Sequence, residues 1–105
     1  MLFRSLGGAS IAYEALERVL AKDPSKRKAI DGFTPEQRFF LSFSQVWRTN
    51  CKEAEMRRLV TIDPHSPGTF RAIGAPVNMQ QFYDAFGIGA EAKMWRAPEL
   101  RAKIW

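Results

Sequence analysis

Apolar residues recur at helical spacing near the start of the chain. They are separated by three, four, three and four positions, which places them on one face of an α-helix. The residues on this face are Leu6, Ala9, Tyr13, Leu16 and Leu20. Asp23 precedes Pro24, and a residue before proline is driven out of the helical region. The pattern therefore predicts an amphipathic helix over residues 6–22.

A second helix begins after a polar, lysine-rich loop over residues 23–33. Thr34 can cap it, Pro35 suits the first helical position, and Gln37 completes a capping box. Its apolar side carries Phe39, Phe40, Phe43, Val46 and Trp47. Because no other predicted helix is as strongly apolar, this one, ending near Asn50, should lie at the centre of the fold.

Three shorter helices are predicted downstream. One spans about 53–62 and should pack through Met56, Leu59 and Val60. The next should open with Ser66 as cap and Pro67 in the first position and run through Ile73. The last should be capped by Asn78, bury Met79, Phe82 and Phe86, and stop at Gly87.

The final 18 residues read as an extended tail held by Trp95 and Trp105. No stretch alternates cleanly enough to predict a strand. The sequence thus predicts an all-α fold: one small domain over residues 1–105, with four to five helices, long connections and an extended C-terminal tail.

The net charge of +5 raises the question of a nucleic-acid partner. Most of the basic residues fall in three short groups, at 22–28, 57–58 and 96–103, and each group has Asp, Glu or Pro within it or close by. A nucleic-acid module would gather them on one element, so we expect solvated faces and no nucleic acid. No apolar run reaches the roughly 18 residues that a membrane span needs. We expect a soluble chain without an export signal and without a membrane partner.

The chain has one histidine, His65, and one cysteine, Cys51. These counts limit the metal sites and the catalytic nucleophiles that it can form. A catalytic zinc takes three protein ligands, so we expect no zinc site from this chain alone. Cys51 and His65 could pair as a nucleophile and base, but nothing nearby signals an activated thiol, and buried structural cysteines are inert. A free structural thiol is the preferred interpretation.

His65 lies two residues after Asp63 and six before Arg71. A carboxylate can orient an imidazole, and a nearby cation can help to hold a carbonyl or oxyanion. The simpler alternative is a loop histidine that is hydrogen-bonded or exposed. The spacing alone leaves both interpretations open.

Four segments together resemble the neprilysin and endothelin-converting-enzyme family of zinc metallopeptidases. The run DGFTPEQRFFLSFSQVW resembles that family's GFT-x-x-QRFF helix, and DPHSPGTFRAIG resembles its HSPG-x-FR stretch. NMQQFYDAFG is similar to the N-x-x-x-F-x-x-AF segment, and the chain stops on Ile-Trp, like the family. The matches are in order and in register, over about residues 6–105.

The resemblance implies which functional parts are here and which are not. The family binds zinc through an HExxH helix and a later ExxxD helix that runs into Leu-Gly-Gly, which is 6–8 here. Met1 falls at the position of the family's zinc-ligand Glu, and Ser5 at that of the supporting Asp. The resemblance also assigns His65 to the oxyanion, Arg71 to the substrate backbone or its supporting network, and Asp63 to orienting His65.

We therefore expect the C-terminal part of a neprilysin-like zinc metalloendopeptidase, able to contact a peptide but catalytically incomplete alone, with zinc only in the full-length family. The alternative is a non-catalytic helical binding or assembly module that reuses the scaffold. Apolar helix faces without their cover favour a homodimer or higher oligomer. The alternative is a monomer in which the tail with Trp95 and Trp105 folds back over these faces. The residues expected in that interface or in the core beside it are Leu6, Tyr13, Leu16, Phe39, Phe40 and Phe43.

Overall fold

The computed structural model describes residues 2–104 and is built from helices. The α-helices in this range are α1 (Leu2–Lys22), α2 (Pro35–Gln45), α3 (Glu53–Ile62), α4 (Gly68–Gly74) and α5 (Gln80–Phe86). Short 3₁₀ turns lie at Pro24–Arg27, Pro76–Asn78 and Pro98–Leu100. Within residues 2–104 the extended pairing is one isolated bridge between Ile30 and Phe33. The predicted all-α class with five helices is confirmed.

The predicted start of α2 and end of α1 are confirmed. Thr34 accepts a hydrogen bond from the backbone of Gln37, whose side chain accepts one from the Thr34 backbone. Pro35 has no N–H, so these bonds satisfy two of the three free N–H groups at this helix start. At the other junction, α1 stops at Lys22, before Asp23 and Pro24.

The end of α2 differs from the prediction, because the α-helix stops at Gln45 and not near Asn50. Past this point the amide of Trp47 donates to Ser44 and that of Arg48 donates to Gln45. These i to i+3 bonds are tighter than α-helical ones and unwind the helix end. The chain then leaves the helix axis and carries residues 48–52 toward α3.

The core forms where α1, α2 and α5 meet. Its buried members are Leu6, Ala9, Tyr13, Phe40, Ala75, Met79, Phe82 and Tyr83. Phe40 is central: its ring lies 5.5 Å from that of Tyr13 and 5.4 Å from that of Phe82. Offset and edge-to-face aromatic pairs of this kind contribute about 0.5–1.5 kcal/mol beyond their buried area.

Helix α3 has the predicted limits but buries none of its residues. Met56 and Leu59 are half-buried, whereas Val60 is 63% exposed. The prediction that Val60 packs was therefore wrong. Since Val60 follows Leu59 directly, it lies about 100° around the helix from its neighbour and stays largely exposed to solvent.

Two predicted caps were also wrong. Pro67, with extended backbone angles, is the N-cap of α4, and no side chain caps this helix. Met79 caps α5, because Pro76 begins a separate 3₁₀ turn that ends at Asn78. Asn78 instead donates from Nδ2 to the carbonyl of Gly74 at 2.7 Å and accepts at Oδ1 from the amide of Ala102 at 2.7 Å.

The C-terminal tail is fixed against α5. Gly87 ends α5 with φ of 60°, a left-handed conformation that glycine adopts without strain. Trp95 packs against Tyr83 with ring centroids 4.9 Å apart, as expected for the tail. Trp105 lies outside the described residues. In the part of the chain that the structure describes, no helix has the length and apolar character to span a bilayer.

Candidate functional site

A cleft of about 430 Å³ opens between α3, the start of α4 and the segment that follows α2. Its apolar side comes from Met56, Leu59 and Val60 of α3. Across from them lie the side chains that the sequence singled out: Asp63, His65 and Arg71 line this one cleft. Trp47, Cys51 and Gly68 line it as well.

Asp63 and His65 form a compact turn directly after α3. Oδ1 of Asp63 accepts a hydrogen bond from the backbone amide of His65 at 2.9 Å. The same oxygen lies 2.6 Å from Nδ1 of His65. A carboxylate has only lone pairs to offer, so Nδ1 carries the proton in this pair. Among the described residues, Nε2 has no hydrogen-bond partner.

The electrostatics of this turn favour an ionised Asp63. Hydrogen bonds from the backbone amide and then the imidazole of His65 lower the pKa of the Asp63 carboxyl below its usual value. The charges of His65 and Arg71 act in the same direction with smaller effect. Asp63 therefore remains a carboxylate across the neutral range and keeps its hold on Nδ1.

Arg71 is oriented by an aromatic ring. Its guanidinium carbon lies 3.7 Å from the centroid of the Trp47 ring, within the range of a cation–π contact. Nε of Arg71 and Nε1 of Trp47 are both buried, and neither has a hydrogen-bond partner among the described residues. Buried donors of this kind are uncommon, because a donor removed from water without an acceptor costs about 1–3 kcal/mol.

Gly68 allows the close approach that makes this arrangement possible. A Cβ placed on Gly68 would lie 2.6 Å from the carbonyl oxygen of Trp47 and 3.3 Å from Oγ1 of Thr49. Only a residue without a side chain can bring the start of α4 so near to the end of α2. Arg71, one helical turn later, thereby reaches the indole ring.

The structure brings together all three predicted site residues and adds two that sequence reasoning missed. Trp47 was assigned to the apolar side of α2, and Gly68 fell within the predicted helix that opens at Ser66 and runs through Ile73. A single Arg and a single Trp 24 positions apart carry no periodic signal. The cation–π contact therefore becomes visible only once α2 and α4 are docked.

The donor set of the described residues does not fit a zinc ion. Within residues 2–104, no three His, Cys, Asp or Glu side chains converge as metal ligands. Asp63 and His65 supply two groups, and a catalytic zinc takes three protein ligands. Cys51 is half-buried at the cleft wall as a free thiol.

Curated relatives match this chain over most of its length. Neprilysin of Mus musculus is 34% identical over 101 residues, which is 94% of this chain and 13% of that protein. Endothelin-converting enzyme 1 of Bos taurus is 35% identical over 101 residues, again 94% and 13%. The neutral endopeptidase of Lactococcus lactis subsp. cremoris is 39% identical over 67 residues, 64% of this chain and 11% of that protein. The chain thus spans 11–13% of the length of these relatives.

A solved structure also matches the fold of this chain. The zinc metalloprotease Zmp1 of Mycobacterium tuberculosis, in an open state, superposes with a TM-score of 0.88 at 39% identity. The match covers 96% of this chain and 15% of that one. The family model of peptidase family M13 matches residues 4–102. The predicted resemblance is confirmed: this chain belongs to peptidase family M13.

Proposed function

We propose that this chain forms the substrate-facing, C-terminal part of a neprilysin-like zinc metalloendopeptidase. The observation that carries the proposal is the placement of the Asp63–His65 pair and of Arg71 on one cleft. Zinc, where the rest of such an enzyme supplies it, would polarise the scissile carbonyl and activate water. The residues of this chain would bind and orient the peptide beside it.

His65 is the proposed donor to the reacting carbonyl oxygen. Asp63 holds the proton on Nδ1, which leaves Nε2 as the nitrogen available to a ligand. A neutral imidazole in this tautomer can only accept at Nε2, whereas a protonated one donates there. His65 would therefore stabilise a developing oxyanion in its protonated form, with Asp63 balancing the charge.

Arg71 is the proposed contact to the peptide backbone. The contact with the Trp47 ring restricts the motion of its guanidinium, so less side-chain entropy is lost when it binds a carbonyl group. The buried Nε–H of Arg71 lacks an acceptor among the described residues. A peptide carbonyl that reaches this group would remove an unfavourable free donor.

We further propose that the 105 residues are catalytically incomplete alone. HExxH requires two histidines one helical turn apart, and the sequence contains one histidine in all. His65 would then add an oxyanion contact without a nucleophile to serve.

Two measurements on the purified chain test this proposal. The first is hydrolysis of a fluorogenic neprilysin-type peptide with added zinc, for which we expect no turnover. The second is NMR titration of the labelled chain with an unlabelled hydrophobic peptide amide. We expect shifts at residues 47 and 63–71 and weaker binding in His65→Ala. Ser25→Ala, in a remote turn, is the control.

Metal-dependent cleavage that disappears in His65→Ala would refute the catalytic incompleteness. Peptide shifts that fall outside the cleft, or that are equal in His65→Ala and in the control, would refute the substrate role.

A second candidate function is a non-catalytic helical binding or assembly module. It is favoured by a separate groove of about 650 Å³ between α1 and α2, on which no described segment is seated. The two candidates differ in which surface binds: the cleft at His65 for the peptidase part, and the α1–α2 groove for the module.

A further inference from the structure

The groove between α1 and α2 is lined mainly by apolar residues. On α1, Gly8 and Ala12 add little side-chain volume to this lining, because their side chains are absent or small. Larger apolar side chains rise along its sides: Leu16, Phe39, Phe43 and Val46. Val46 is 70% exposed, so this surface has no cover among the described residues. From Arg4 to Leu16 the groove follows α1 for about 18 Å at the rise of an α-helix.

The charged residues that line this groove are all positive. Arg4 and Arg38 are its charged members, and no Asp or Glu lines it. Neither arginine takes part in an ion pair with a described residue. Nη1 of Arg38 donates to the carbonyl of Phe33 at 2.7 Å, which fixes the side chain but leaves its charge uncompensated.

This charge pattern decides between possible occupants. In a two-fold homodimer the same patch faces itself, so the Arg4 and Arg38 guanidinium groups of both copies would be gathered on an apolar surface. Like charges placed together across an interface cost free energy. The dimer expected from the sequence would therefore need to use another face or offset this repulsion.

The backbone N–H and C=O groups of a bound segment must also find hydrogen-bond partners. Apart from the two arginines, the polar side-chain groups of the lining are the hydroxyls of Ser5 and Ser42 and the buried indole Nε1–H of Trp47. An extended peptide would bring amide groups that find few partners here, whereas a helix pairs its own. The small size of Gly8 and Ala12 also lets the axis of a bound helix come close to α1.

We propose that the α1–α2 groove binds an amphipathic α-helix of another polypeptide segment. The apolar face of this helix would lie on the groove, and its carboxylates would pair with Arg4 and Arg38. This inference does not rest on the peptidase proposal, since the groove and the His65 cleft share only Trp47 among their lining residues. A carboxylate beside each arginine balances the charge that the groove leaves open.

The test uses two capped helical peptides of about fourteen residues, long enough to follow the groove. Both carry Ala and Leu on one face. One carries Glu along both edges, and the other carries Gln at the same positions. Binding of the labelled peptides to the full chain is followed by fluorescence anisotropy. We expect the Glu peptide to bind more tightly, by about two- to fivefold for each ion pair formed, and to weaken as salt is raised.

Matched charge reversals locate the site. Arg4→Glu lowers the net charge by the same amount as Arg18→Glu, but Arg18 lies outside the groove and pairs with Glu14. We expect Arg4→Glu to lose most of the preference for the Glu peptide and Arg18→Glu to retain it. Arg38→Gln provides a second groove variant, and circular dichroism checks that each variant is folded.

Three results would overturn the proposal. Equal binding of the Glu and Gln peptides would remove the role of the carboxylates. Equal losses in Arg4→Glu and Arg18→Glu would show attraction to net charge alone. A stable dimer that neither peptide dissociates, seen by light scattering, would assign the groove to a second copy.

Discussion

Arg71 and Trp47 are stacked, with the guanidinium carbon 3.7 Å from the centroid of the indole ring. This contact joins the proposed substrate-binding helix α4 to the segment that directly follows α2. A partly desolvated cation–π contact contributes about 0.5–2 kcal/mol. It holds Arg71 in one orientation before any ligand arrives.

Arg71→Ala should lower the free energy of unfolding by about 1 kcal/mol, the middle of the cation–π range. Arg71→Lys should recover less than half of this loss, because an ammonium group cannot stack as a plane. Urea denaturation measures both. Arg57→Ala, whose side chain is 79% exposed, is the control and should change little. A lysine variant as stable as the parent would contradict a stacking role.

Gly68→Ala and Gly8→Ala should change stability in opposite directions. A methyl on Gly68 meets the backbone oxygen of Trp47 at 2.6 Å, whereas one on Gly8 meets nothing within 4 Å. Forcing atoms into a packed junction costs about 1–3 kcal/mol. Replacing an exposed glycine inside a helix by alanine gains about 0.5–1 kcal/mol. Thermal midpoints of the two variants should move apart, and a shared direction would refute the close approach.

Asp63 should contribute stability that is lost only in acid. Because its folded pKa lies below the unfolded value, the contribution is present above about pH 4, the unfolded pKa of Asp. It disappears as the pH falls through the lower folded pKa. NMR titration of the Asp63 carboxyl carbon reports the midpoint. In Asp63→Asn this acid-dependent component should be absent, while the remaining carboxyl groups titrate as before.

Tyr13 should contribute stability that is lost only at high pH. Burial, together with the nearby charges of Glu17 and Glu36, raises the pKa of Tyr13 to about 12. The neutral phenol is favoured in the fold, so its contribution is complete below about pH 10, the unfolded pKa of Tyr. It is lost as the pH rises toward about 12. Phenolate absorbance and stability should both lose this component in Tyr13→Phe, and an unchanged high-pH titration would be inconsistent with burial.

The purified chain should hold no zinc above background after dialysis. One histidine and no convergent set of three ligands within residues 2–104 leave at most a weak site at Asp63 and His65. Mass spectrometry of the metal content measures this. One equivalent that survives dialysis would show that the chain builds a site by itself.

Local chemistry made the helices readable from the sequence. The capping box at Thr34, the stop before Pro24 and the left-handed Gly87 each depend on a few neighbouring residues. The Asp63–His65 pair was found for the same reason, since its members are two positions apart. Residues that act across the fold were not readable. Gly68 and Trp47 acquire their roles only from helix docking, and Asn78 was taken for a cap because its long-range partner could not be seen.

The hydrogen bonds of Asn78 couple the motions of α4 and the C-terminal tail. The carboxamide of Asn78 joins the last turn of α4, through Gly74, to the amide of Ala102, which lies 24 positions beyond Asn78 in the chain. Both hydrogen bonds use one planar carboxamide, so a rotation that breaks either bond also turns the group away from its other partner. The end of α4 and the tail should therefore open as one cooperative unit. The helix that carries Arg71 is thus held at its far end by the tail, and disturbance of the tail reaches the cleft through a single side chain.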